Sequence, residues 1–502
     1  MPIISREMLG GIVDHEQGVT LTPDELREQV MRRRDAYYSA GMRKGDKAII
    51  GHGNSHQFFG DLLALWEIGV CCVPIDRQAS HGEIANMADH CGAKLVVYRG
   101  EFDVEGLTVL LGADTSVFNS DDADSGNPSE GGHTFQDQQV GWEDEALILY
   151  TSGSTGQPKG VVHTVRTLTA RLNMLRADVN LNEISTALTL LPTHFGHGLI
   201  CNSLYPLLNG RTLVVLPAFS ASTLGELGSI LDRYEVNFMS SVPTVWRIAT
   251  RFSEPPKAGT LNRIHCGSAP LSATLHQDIV KWSGTSNVKN TYGITEVGSW
   301  LAGTEDGVTD FVDGYIGKGW GTDIMILESG VDPSAVDPVR YEMGPNAEGD
   351  IWVRTPALMA GYHKRPDLTD TVVKNTWFHT GDTGFKNENG SLVIVGRQHN
   401  VINKAGMKIF PEDIDLALEQ SSAVTEACTF GIDDRIAGQV VGVAVVLSPD
   451  QDGPDAAREW LSDRISPHKM PSKWFPVESL PRDSRGKLNR DKVAAFCLGK
   501  TD

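Results

Sequence analysis

Two kinds of segment alternate along the chain, short apolar runs and longer stretches with the pattern of a helix. From about residue 46 to residue 330, short apolar runs rich in β-branched residues alternate with longer stretches compatible with helices. Strands that alternate with helices predict an α/β protein with largely parallel sheets. We expect helices over 56–68, 166–178, 223–234 and 243–251, a surface loop over the polar stretch 119–132, and strands at DKAIIGHG, KLVVYR, TVLLG, ALILYTSG, TALTLL, TLVVLP and RIHCG.

The length of the chain predicts more than one domain. Its 502 residues exceed the size at which a single hydrophobic core keeps growing. After the apolar run LVIVG a charged and polar segment begins, and a new helix is expected around Pro411–Leu418. The remaining residues contain a strand, VVGVAVVL, and a helix over 456–465, enough for a small α+β domain. We therefore predict domains over 1–396 and 397–502, with the cleft between them as a favoured ligand site.

Composition narrows the class of protein. Hydrophobic residues make up 40% and charged residues 22% of the chain, an ordinary globular balance. The chain shows neither an apolar run of about 18 residues nor a basic segment followed by an apolar stretch, so we expect a cytoplasmic protein without a membrane span. The net charge of −20 argues against nucleic acid as the main partner. The seven cysteines include no CxxC pair and are expected to be reduced packing residues.

The segment ALILYTSGSTGQPKGVVHT (146–164) carries the strongest chemical signal. An apolar strand runs directly into a loop of glycines, hydroxyl side chains and one lysine. Glycines let backbone N–H groups converge, hydroxyls add donors and the lysine supplies positive charge, which together suit a polyphosphate. Gln157 and Pro158 precede the lysine, so the loop is not of the Walker A type. The candidate phosphate-binding residues are Thr151, Ser152, Gly153, Ser154, Thr155, Gly156 and Lys159.

YTSGSTGQPKG resembles the phosphate loop of the adenylate-forming superfamily. This superfamily includes the AMP-forming acyl-CoA synthetases, which the chain resembles most, the adenylation domains of nonribosomal peptide synthetases, and firefly-type luciferases. Further motifs follow in the same order over nearly the whole chain. The resemblance implies a large N-terminal domain of stacked α/β sheets with a β-barrel-like portion, and a small mobile α+β C-terminal domain.

The segment NTYGITEVG (290–298) combines an aromatic ring with a hydroxyl and a carboxylate. Such groups suit a base, a phosphate and Mg²⁺, respectively. The segment is similar to the family's YGxTE motif, which implies that Tyr292 and Gly293 contact adenine, that Thr295 reaches the α-phosphate and that Glu296 holds Mg²⁺. Similar motifs imply contacts at two further places. Gly267, Ser268 and Ala269 of CGSAPL would form part of the adenine wall, where Cys266 replaces a glycine, and Asp382 of WFHTGD would contact the ribose together with Arg397.

The segment PRDSRGKLNR (481–490) resembles the family's C-terminal catalytic-lysine motif. Lys487 would offset negative charge as a carboxylate attacks the α-phosphorus of ATP. The resemblance further implies that the small domain then rotates and that Gly406 approaches a thiol, either coenzyme A or a carrier-protein phosphopantetheine. At the hinge, His399 stands where relatives usually have Asp or Lys. We hypothesise that His399 makes the conformational balance sensitive to pH, with an ordinary exposed hinge residue as the alternative.

The pocket for the acid is expected around 194–199, 240–246, 266–269 and 298–301. Amino-acid-activating relatives place an aspartate near the first of these segments to hold the ammonium group, and none occurs between residues 183 and 231. This favours an acid without an amino group. The candidate pocket residues are His194, Phe195, His197, Ser240, Gly298 and Trp300. Core packing is an equally good interpretation of Trp300.

We therefore predict an enzyme that uses Mg·ATP to convert a carboxylic acid to an acyl-adenylate and transfers the acyl group to a thiol. A free-standing amino-acid adenylase or an amide-forming ligase is the alternative within the same chemistry. A luciferase-like oxygenase shares these motifs, but no residue favours it. A noncatalytic nucleotide-binding relative is the alternative from another class. The intact Lys159, Glu296 and Lys487 argue against it.

Overall fold

The computed structural model describes residues 8–124, 139–151, 159–218, 221–308, 311–332, 338–397, 400–404, 407–434, 438–465, 467–482 and 488–499. Its α-helices are α1 (Pro23–Ser39), α2 (His56–Glu67), α3 (His81–Cys91), α4 (Val104–Leu110), α5 (Val165–Asp178), α6 (Tyr205–Leu207), α7 (Ala221–Gly225), α8 (Leu227–Arg233), α9 (Pro243–Phe252), α10 (Ala273–Ser283), α11 (Pro338–Tyr341), α12 (Pro366–Val372), α13 (Pro411–Glu419), α14 (Asp455–Ser462) and α15 (Arg490–Leu498). A π-helix spans His197–Leu204, and short 3₁₀ turns span Ser120–Asp124, Leu181–Glu183, Thr295–Val297 and Pro467–Lys469.

The strands are β1 (Ile12–Asp14), β2 (Val19–Leu21), β3 (Lys47–Ile50), β4 (Cys71–Pro74), β5 (Leu95–Tyr98), β6 (Ser116–Asn119), β7 (Glu145–Thr151), β8 (Lys159–Thr164), β9 (Thr186–Thr189), β10 (Thr212–Val215), β11 (Phe238–Ser241), β12 (Arg263–Gly267), β13 (Val288–Ile294), β14 (Ser299–Gly303), β15 (Tyr315–Gly319), β16 (Asp323–Leu327), β17 (Gly349–Arg354), β18 (Gly361–Tyr362), β19 (Val373–Lys374), β20 (Trp377–Lys386), β21 (Leu392–Arg397), β22 (Ile402–Lys404), β23 (Met407–Ile409), β24 (Val424–Asp434), β25 (Gly438–Leu447) and β26 (Lys473–Pro476).

These strands form three sheets among the described residues. The largest has the order β16-β17-β20-β21-β15-β14-β13-β12-β11-β9-β10-β1-β2, with β19 beside β20. Its strands β1 and β9 to β13 run parallel, and its pairing becomes antiparallel from β14 onward. The second sheet has the order β18-β8-β7-β4-β3-β5-β6. The third, of β22 to β26, is built from the C-terminal part of the chain. The prediction of an α/β fold with a smaller C-terminal domain is therefore confirmed, while the boundary between 396 and 397 stays a prediction.

Helix α2 shows how the large part of the molecule is packed. Ser55 caps it by accepting a hydrogen bond from the backbone N–H of Phe58. The helix is apolar on nearly all sides and all its residues except Glu67 are buried, the pattern of a helix enclosed by other elements. Its side chains belong to one core cluster with residues of β3, β4 and β10, which are strands of two different sheets. Among the described residues, no helix is long and apolar enough to cross a membrane.

Three sequence predictions need correction. TVLLG (108–112) is not a strand: its first three residues end helix α4, which Asp103 caps, and the buried residue of that helix, Leu107, precedes the run. The helix predicted over 223–234 is interrupted at Glu226 and forms α7 and α8. The predicted loop over 119–132 begins with a 3₁₀ turn in which Ser120 is fully buried; its residues from 125 onward lie outside the described ones.

A buried ionic network joins α1, α2 and this 3₁₀ turn. Asp61 is completely buried and accepts hydrogen bonds from Arg33, from the Tyr37 hydroxyl at 2.6 Å and from the Ser120 hydroxyl at 2.7 Å. The Nε2 atom of the His52 ring lies 2.8 Å from the Oδ2 atom of Asp61. Burial opposes the charge on Asp61, but the Arg33 guanidinium and these hydrogen bonds hold its pKa below the usual value. The network therefore holds an ionised carboxylate inside the protein.

We expect Asp61→Ala to lower the free energy of unfolding by about 3 kcal/mol or more, because it leaves Arg33 buried beside unpaired donors. Urea unfolding followed by tryptophan fluorescence measures this change. Asp323→Ala is the matched control, since its ion pair with Arg354 at 2.8 Å is exposed and is expected to contribute less than about 1 kcal/mol. Equal effects of the two substitutions would contradict the stabilising role of the buried network.

Candidate active site

The predicted phosphate loop joins two paired strands. Strands β7 and β8 are antiparallel, and Thr151 at the end of β7 lies opposite Lys159 at the start of β8. The two described ends of the loop are therefore held next to each other by the hairpin. Residues 152–158, which include Ser152, Gly153, Ser154, Thr155 and Gly156, lie outside the described residues, and their phosphate contacts stay predictions.

The other predicted site residues gather at one edge of the largest sheet. Strands β11, β12 and β13 are parallel neighbours that end at Ser241, Gly267 and Ile294. Ser268 and Ala269 follow β12 directly, and Thr295 follows β13. Ligands of open parallel sheets bind at the carboxyl ends of their strands. The motifs that the sequence spreads over more than 200 residues thus meet where this fold class binds its ligands.

The 3₁₀ turn Thr295–Val297 is held by donors from three other segments. The Nε2 atom of the His163 ring, on β8, lies 2.8 Å from the carbonyl oxygen of Thr295 and donates to it. The backbone N–H of Met359 donates to the carbonyl of Glu296 at 2.7 Å. The Nε atom of Arg171, on α5, donates to the carbonyl of Val297 at 3.0 Å. Each carbonyl of the turn is therefore fixed by a different part of the chain.

Gly298 ends this turn in the left-handed region, with φ of +72°. A Cβ atom there would lie 3.3 Å from the Cγ of Arg171, tighter than ordinary contact. Both the backbone conformation and the nearby arginine therefore require glycine. Gly298 was predicted to line the acid pocket, and the structure gives it this backbone role as well.

Glu296 projects toward the phosphate-loop lysine. The Tyr362 hydroxyl, on β18, donates to the Oε1 atom of Glu296 at 2.8 Å. The Lys159 ammonium lies 5.7 Å from the centroid of the same tyrosine ring. A carboxylate and a cation thus lie on either side of one aromatic side chain, next to the turn that carries Thr295.

Tyr292 and Asp382, predicted to contact adenine and ribose, lie against each other. The Tyr292 hydroxyl donates to the Oδ2 atom of Asp382, and both side chains are largely buried. Asp382 on β20 is paired across the sheet with Arg397 on β21. The structure therefore places the residues of two separate nucleotide motifs side by side. Gly293 follows Tyr292 in a close backbone contact: a Cβ atom there would lie 2.2 Å from the carbonyl oxygen of Ser299.

Two of the predicted acid-pocket residues, His197 and Ser240, form a buried polar cluster with Ser268 of the predicted adenine wall. The ring nitrogens of His197 lie 2.9 Å from the Ser268 hydroxyl and 2.6 Å from the Ser240 hydroxyl. Ser268 has φ of +67°, which is unusual for a residue other than glycine. Trp300 is 1% exposed and packs edge-on against His197, so it lies in the core behind the cluster. His197 thus joins Ser240 of the predicted acid pocket to Ser268 of the predicted adenine wall, while Phe195 is buried beside it and His194 is partly exposed.

The small C-terminal part contacts the large part at helix α9. Arg482 donates to the Thr244 hydroxyl at 3.0 Å and to Glu426 at 2.8 Å. Arg247 forms an ion pair with Glu419 at the end of α13. Arg482 also forms an isolated antiparallel bridge with Leu488, so the segment between them begins and ends near α9. Lys487, His399 and Gly406 lie outside the described residues, and their roles stay predictions.

Sequence reasoning missed the residues that hold the site together. His163 and Arg171 act on backbone carbonyls of the turn, and Tyr362 acts on the Glu296 side chain. A signal for His163 was present, because a histidine interrupts the apolar strand VVHT directly after the phosphate loop. Arg171 and Tyr362 stand in segments without such a signal.

Comparison with known proteins identifies the class of enzyme. The family model described as "AMP-binding enzyme" matches residues 8–363, and the model described as "AMP-binding enzyme C-terminal domain" matches residues 413–487. The chain belongs to this family of AMP-forming ligases. It is 27% identical to a feruloyl-CoA synthase of an Amycolatopsis species over 95% of this chain and 94% of the relative. It is 30% identical to a probable CoA ligase, CCL9, of Humulus lupulus over 71% and 67% of the two chains.

Solved structures share the fold along almost the whole chain. O-succinylbenzoate coenzyme A synthetase of Bacillus subtilis, in complex with ATP and a magnesium ion, superposes with a TM-score of 0.84 at 23% identity, covering 97% of each chain. The amide bond synthetase McbA of Marinactinospora thermotolerans superposes with a TM-score of 0.82 at 21% identity, covering 98% of each chain. The predicted fold class is confirmed by these structures.

We expect the stability of the protein to depend on the neutral state of His163. Burial lowers the pKa of His163 to about 4, whereas an unfolded histidine titrates near ~6.5. As the pH falls, the unfolded chain therefore binds this proton first, and stability present above pH ~6.5 is lost toward pH ~4. His163→Gln keeps a donor for the Thr295 carbonyl but does not titrate.

Between pH 8 and pH 5 the wild type should lose about 2 kcal/mol more unfolding free energy than His163→Gln. Urea titrations of both proteins at the two pH values measure this difference. Other histidines titrate in both proteins and cancel in the comparison. Equal losses in the two proteins would contradict the assignment of a buried neutral imidazole at this position.

Proposed function

We propose that this enzyme activates a carboxylic acid with Mg·ATP through an acyl-adenylate and then transfers the acyl group to the thiol of coenzyme A. The observation that carries the proposal is a set of contacts among four predicted nucleotide groups: Tyr362 contacts both Lys159 and Glu296, and Tyr292 donates to Asp382. These groups are Lys159 at the loop end, Glu296 beside it, and the pair Tyr292 and Asp382. The names of the relatives, a feruloyl-CoA synthase and a probable CoA ligase, support the CoA thioester as product.

In this proposal ATP lies along the line defined by these groups. The adenine contacts Tyr292 and Gly293 together with the wall Gly267, Ser268 and Ala269, and the ribose hydroxyls contact Asp382 and Arg397. The triphosphate lies against Lys159 and the loop from Thr151 to Gly156. Thr295 contacts the α-phosphate. The chemistry fits, because an ionised carboxylate accepts from paired hydroxyls and an ammonium suits phosphate oxygens.

A magnesium ion fits Glu296. Mg²⁺ prefers hard oxygen ligands and usually binds through one or two carboxylates together with substrate phosphates and water. The Oε1 atom of Glu296 accepts one hydrogen bond from Tyr362, and a carboxylate has further lone pairs for a metal ion. When bound, the ion would offset charge on the phosphate oxygens. Glu296 is the residue that we assign to hold it.

The first step needs no nucleophilic side chain. A carboxylate oxygen of the acid attacks the α-phosphorus in line, the bond from this phosphorus to the bridging oxygen breaks, and pyrophosphate leaves. Lys487 offsets the charge that develops during this displacement. This role of Lys487 is assigned from the resemblance of its segment to the family's catalytic-lysine motif.

In the second step the thiol sulfur attacks the acyl carbonyl carbon, the thiol proton is released, and AMP leaves. We assign Gly406 to the approach of the pantetheine arm and His399 to the hinge, both from the resemblance to the family. A carrier-protein phosphopantetheine is the alternative thiol. The fold is also shared by an amide bond synthetase, so an amine is the acceptor to test beside the thiols.

The acid is proposed to lack an α-amino group and to lie against His194, Phe195, His197, Ser240, Gly298 and Trp300. The His197 ring in this predicted pocket is in hydrogen-bond contact with the hydroxyls of Ser240 and Ser268. Hydroxyl groups do not neutralise an ammonium group as a carboxylate does. This arrangement, with no Asp between 183 and 231, supports an unaminated substrate.

Lys487→Ala should lower acid-dependent pyrophosphate release by about 10²- to 10³-fold, the usual loss when one preorganised charge-stabilising group is removed. Release is measured across a panel of carboxylic and amino acids with Mg·ATP, and hydroxylamine traps the adenylate as a hydroxamate. Lys492→Ala, at an exposed lysine of α15, is the matched control and should retain the wild-type rate.

The panel separates the alternatives. Hydroxamate from amino acids alone would identify an amino-acid adenylase instead. Hydroxamate from carboxylic acids with no product on adding coenzyme A would move the acceptor to a carrier protein or an amine. Binding of ATP with no pyrophosphate release for any acid would contradict the proposal and favour a noncatalytic nucleotide-binding protein.

A further inference from the structure

Tyr362 lies between the phosphate-loop strand and the turn that carries Glu296. It ends the short strand β18, which pairs with β8 so that Tyr362 lies opposite Val161. Its backbone N–H donates to the Thr369 hydroxyl at 2.9 Å, and its side chain is 7% exposed. The pairing with β8, the hydrogen bond to Thr369 and the surrounding core therefore fix the position of the ring.

The hydroxyl of Tyr362 acts as a donor to Glu296. Burial, together with the adjacent Glu296 carboxylate, raises the pKa of Tyr362 well above its usual value, so the phenol keeps its proton. A carboxylate accepts hydrogen bonds, which fixes the direction of the 2.8 Å contact. The contact orients one oxygen of Glu296 and leaves lone pairs on both oxygens for a ligand.

The face of the same ring lies toward Lys159. The ammonium is 5.7 Å from the ring centroid, a distance at which a cation is attracted to an aromatic face. Lys159 is the first residue of β8, and the main chain next to Tyr362 is bonded to that strand: the N–H of His363 donates to the Gly160 carbonyl at 2.7 Å. One side chain thus contacts both the described end of the phosphate loop and the proposed metal ligand.

The side chain of Glu296 depends more on an orienting contact than its backbone does. Its backbone is held by Met359, but its side chain has several rotatable bonds, and ordering them costs conformational entropy. Partners that orient a metal-binding carboxylate commonly change metal affinity by about 10- to 100-fold when they are removed. Tyr362 is the side chain whose hydrogen bond to the Glu296 carboxylate the structure shows.

We propose that Tyr362 is a positioning residue for magnesium binding: its hydroxyl orients the Glu296 carboxylate, and its ring face holds the Lys159 ammonium beside it. The inference rests on the proposed role of Glu296 and adds to it a residue outside every motif that the sequence singled out. Tyr362 does not itself contact the metal ion or the substrate.

The test measures metal-dependent nucleotide binding without any acid. The dissociation constant of ATP is determined by calorimetry with Mn²⁺ as the metal probe and again in EDTA, and the ratio gives the contribution of the metal ion. Tyr362→Phe keeps the ring and should reduce this ratio about 10-fold or more, while ATP binding in EDTA changes less than about threefold. The control is Tyr315→Phe, whose hydroxyl donates to the Glu305 carboxylate at 2.9 Å away from the site; it should leave the ratio unchanged.

Glu296→Gln and the double variant complete the cycle. If Tyr362 acts through Glu296, the double variant should bind Mn²⁺·ATP no more weakly than Glu296→Gln alone. Independent, additive losses would overturn the proposal. A ratio in Tyr362→Phe equal to that in Tyr315→Phe would also overturn it, as would a Tyr362→Phe protein that does not fold, because the hydroxyl would then be a purely structural group.

These outcomes also separate the inference from the proposed function. A Glu296→Gln protein with an unchanged ratio would remove the metal assignment of Glu296, and the role of Tyr362 with it. A reduced ratio in Glu296→Gln beside an unchanged one in Tyr362→Phe would overturn the inference alone. Failure of every acid to release pyrophosphate would contradict the acid-activating function, while the binding ratios would still decide the role of Tyr362.

Discussion

The 3₁₀ turn Thr295–Val297 cannot hold its own shape, because a turn of this length forms few hydrogen bonds within itself. Its carbonyl groups accept instead from His163 of β8, from the N–H of Met359 and from Arg171 of α5. The consecutive elements β8 and α5, together with the segment around Met359, must therefore be in place before the turn is defined. Because β8 begins at Lys159, the same contacts set the distance between the phosphate-loop lysine and Glu296.

This arrangement explains why a cation is buried beneath the site. In the described part of the chain, the hydrogen bonds of Arg171 go to the carbonyls of Val297 and Trp320 and, at 3.5 Å, to the Thr322 hydroxyl. Burial lowers the pKa of Arg171 to about 10, so the guanidinium remains charged at neutral pH. Carbonyl dipoles solvate the guanidinium, and the Asp178 carboxylate also interacts with its charge. A positive charge of this kind favours anions at the adjoining surface, which suits a triphosphate.

The sequence predicted the parts of the fold that depend on local pattern. Runs such as ALILYTSG and TLVVLP alternate with helices and form strands β7 and β10, and the new helix at Pro411 begins where it was expected. The strand predicted at TVLLG was wrong because composition alone does not show that Asp103 caps a helix there, whose buried residue, Leu107, precedes the run. Which strands share a sheet depends on long-range pairing, as for β8 with β18, and no local pattern specifies it.

The same distinction applies to the site. Motif residues such as Glu296 and Asp382 were recognised because their chemistry is visible in the sequence, whereas His197 acquires its meaning from contacts. Its ring joins Ser240, at the end of β11, to Ser268, which has an unfavourable φ of +67°. An unfavourable backbone angle persists where surrounding contacts enforce it, and the bond to His197 is such a contact. A movement of the His197 ring would therefore also move Ser268, so in the proposed function recognition of the acid is coupled to the position of the nucleotide.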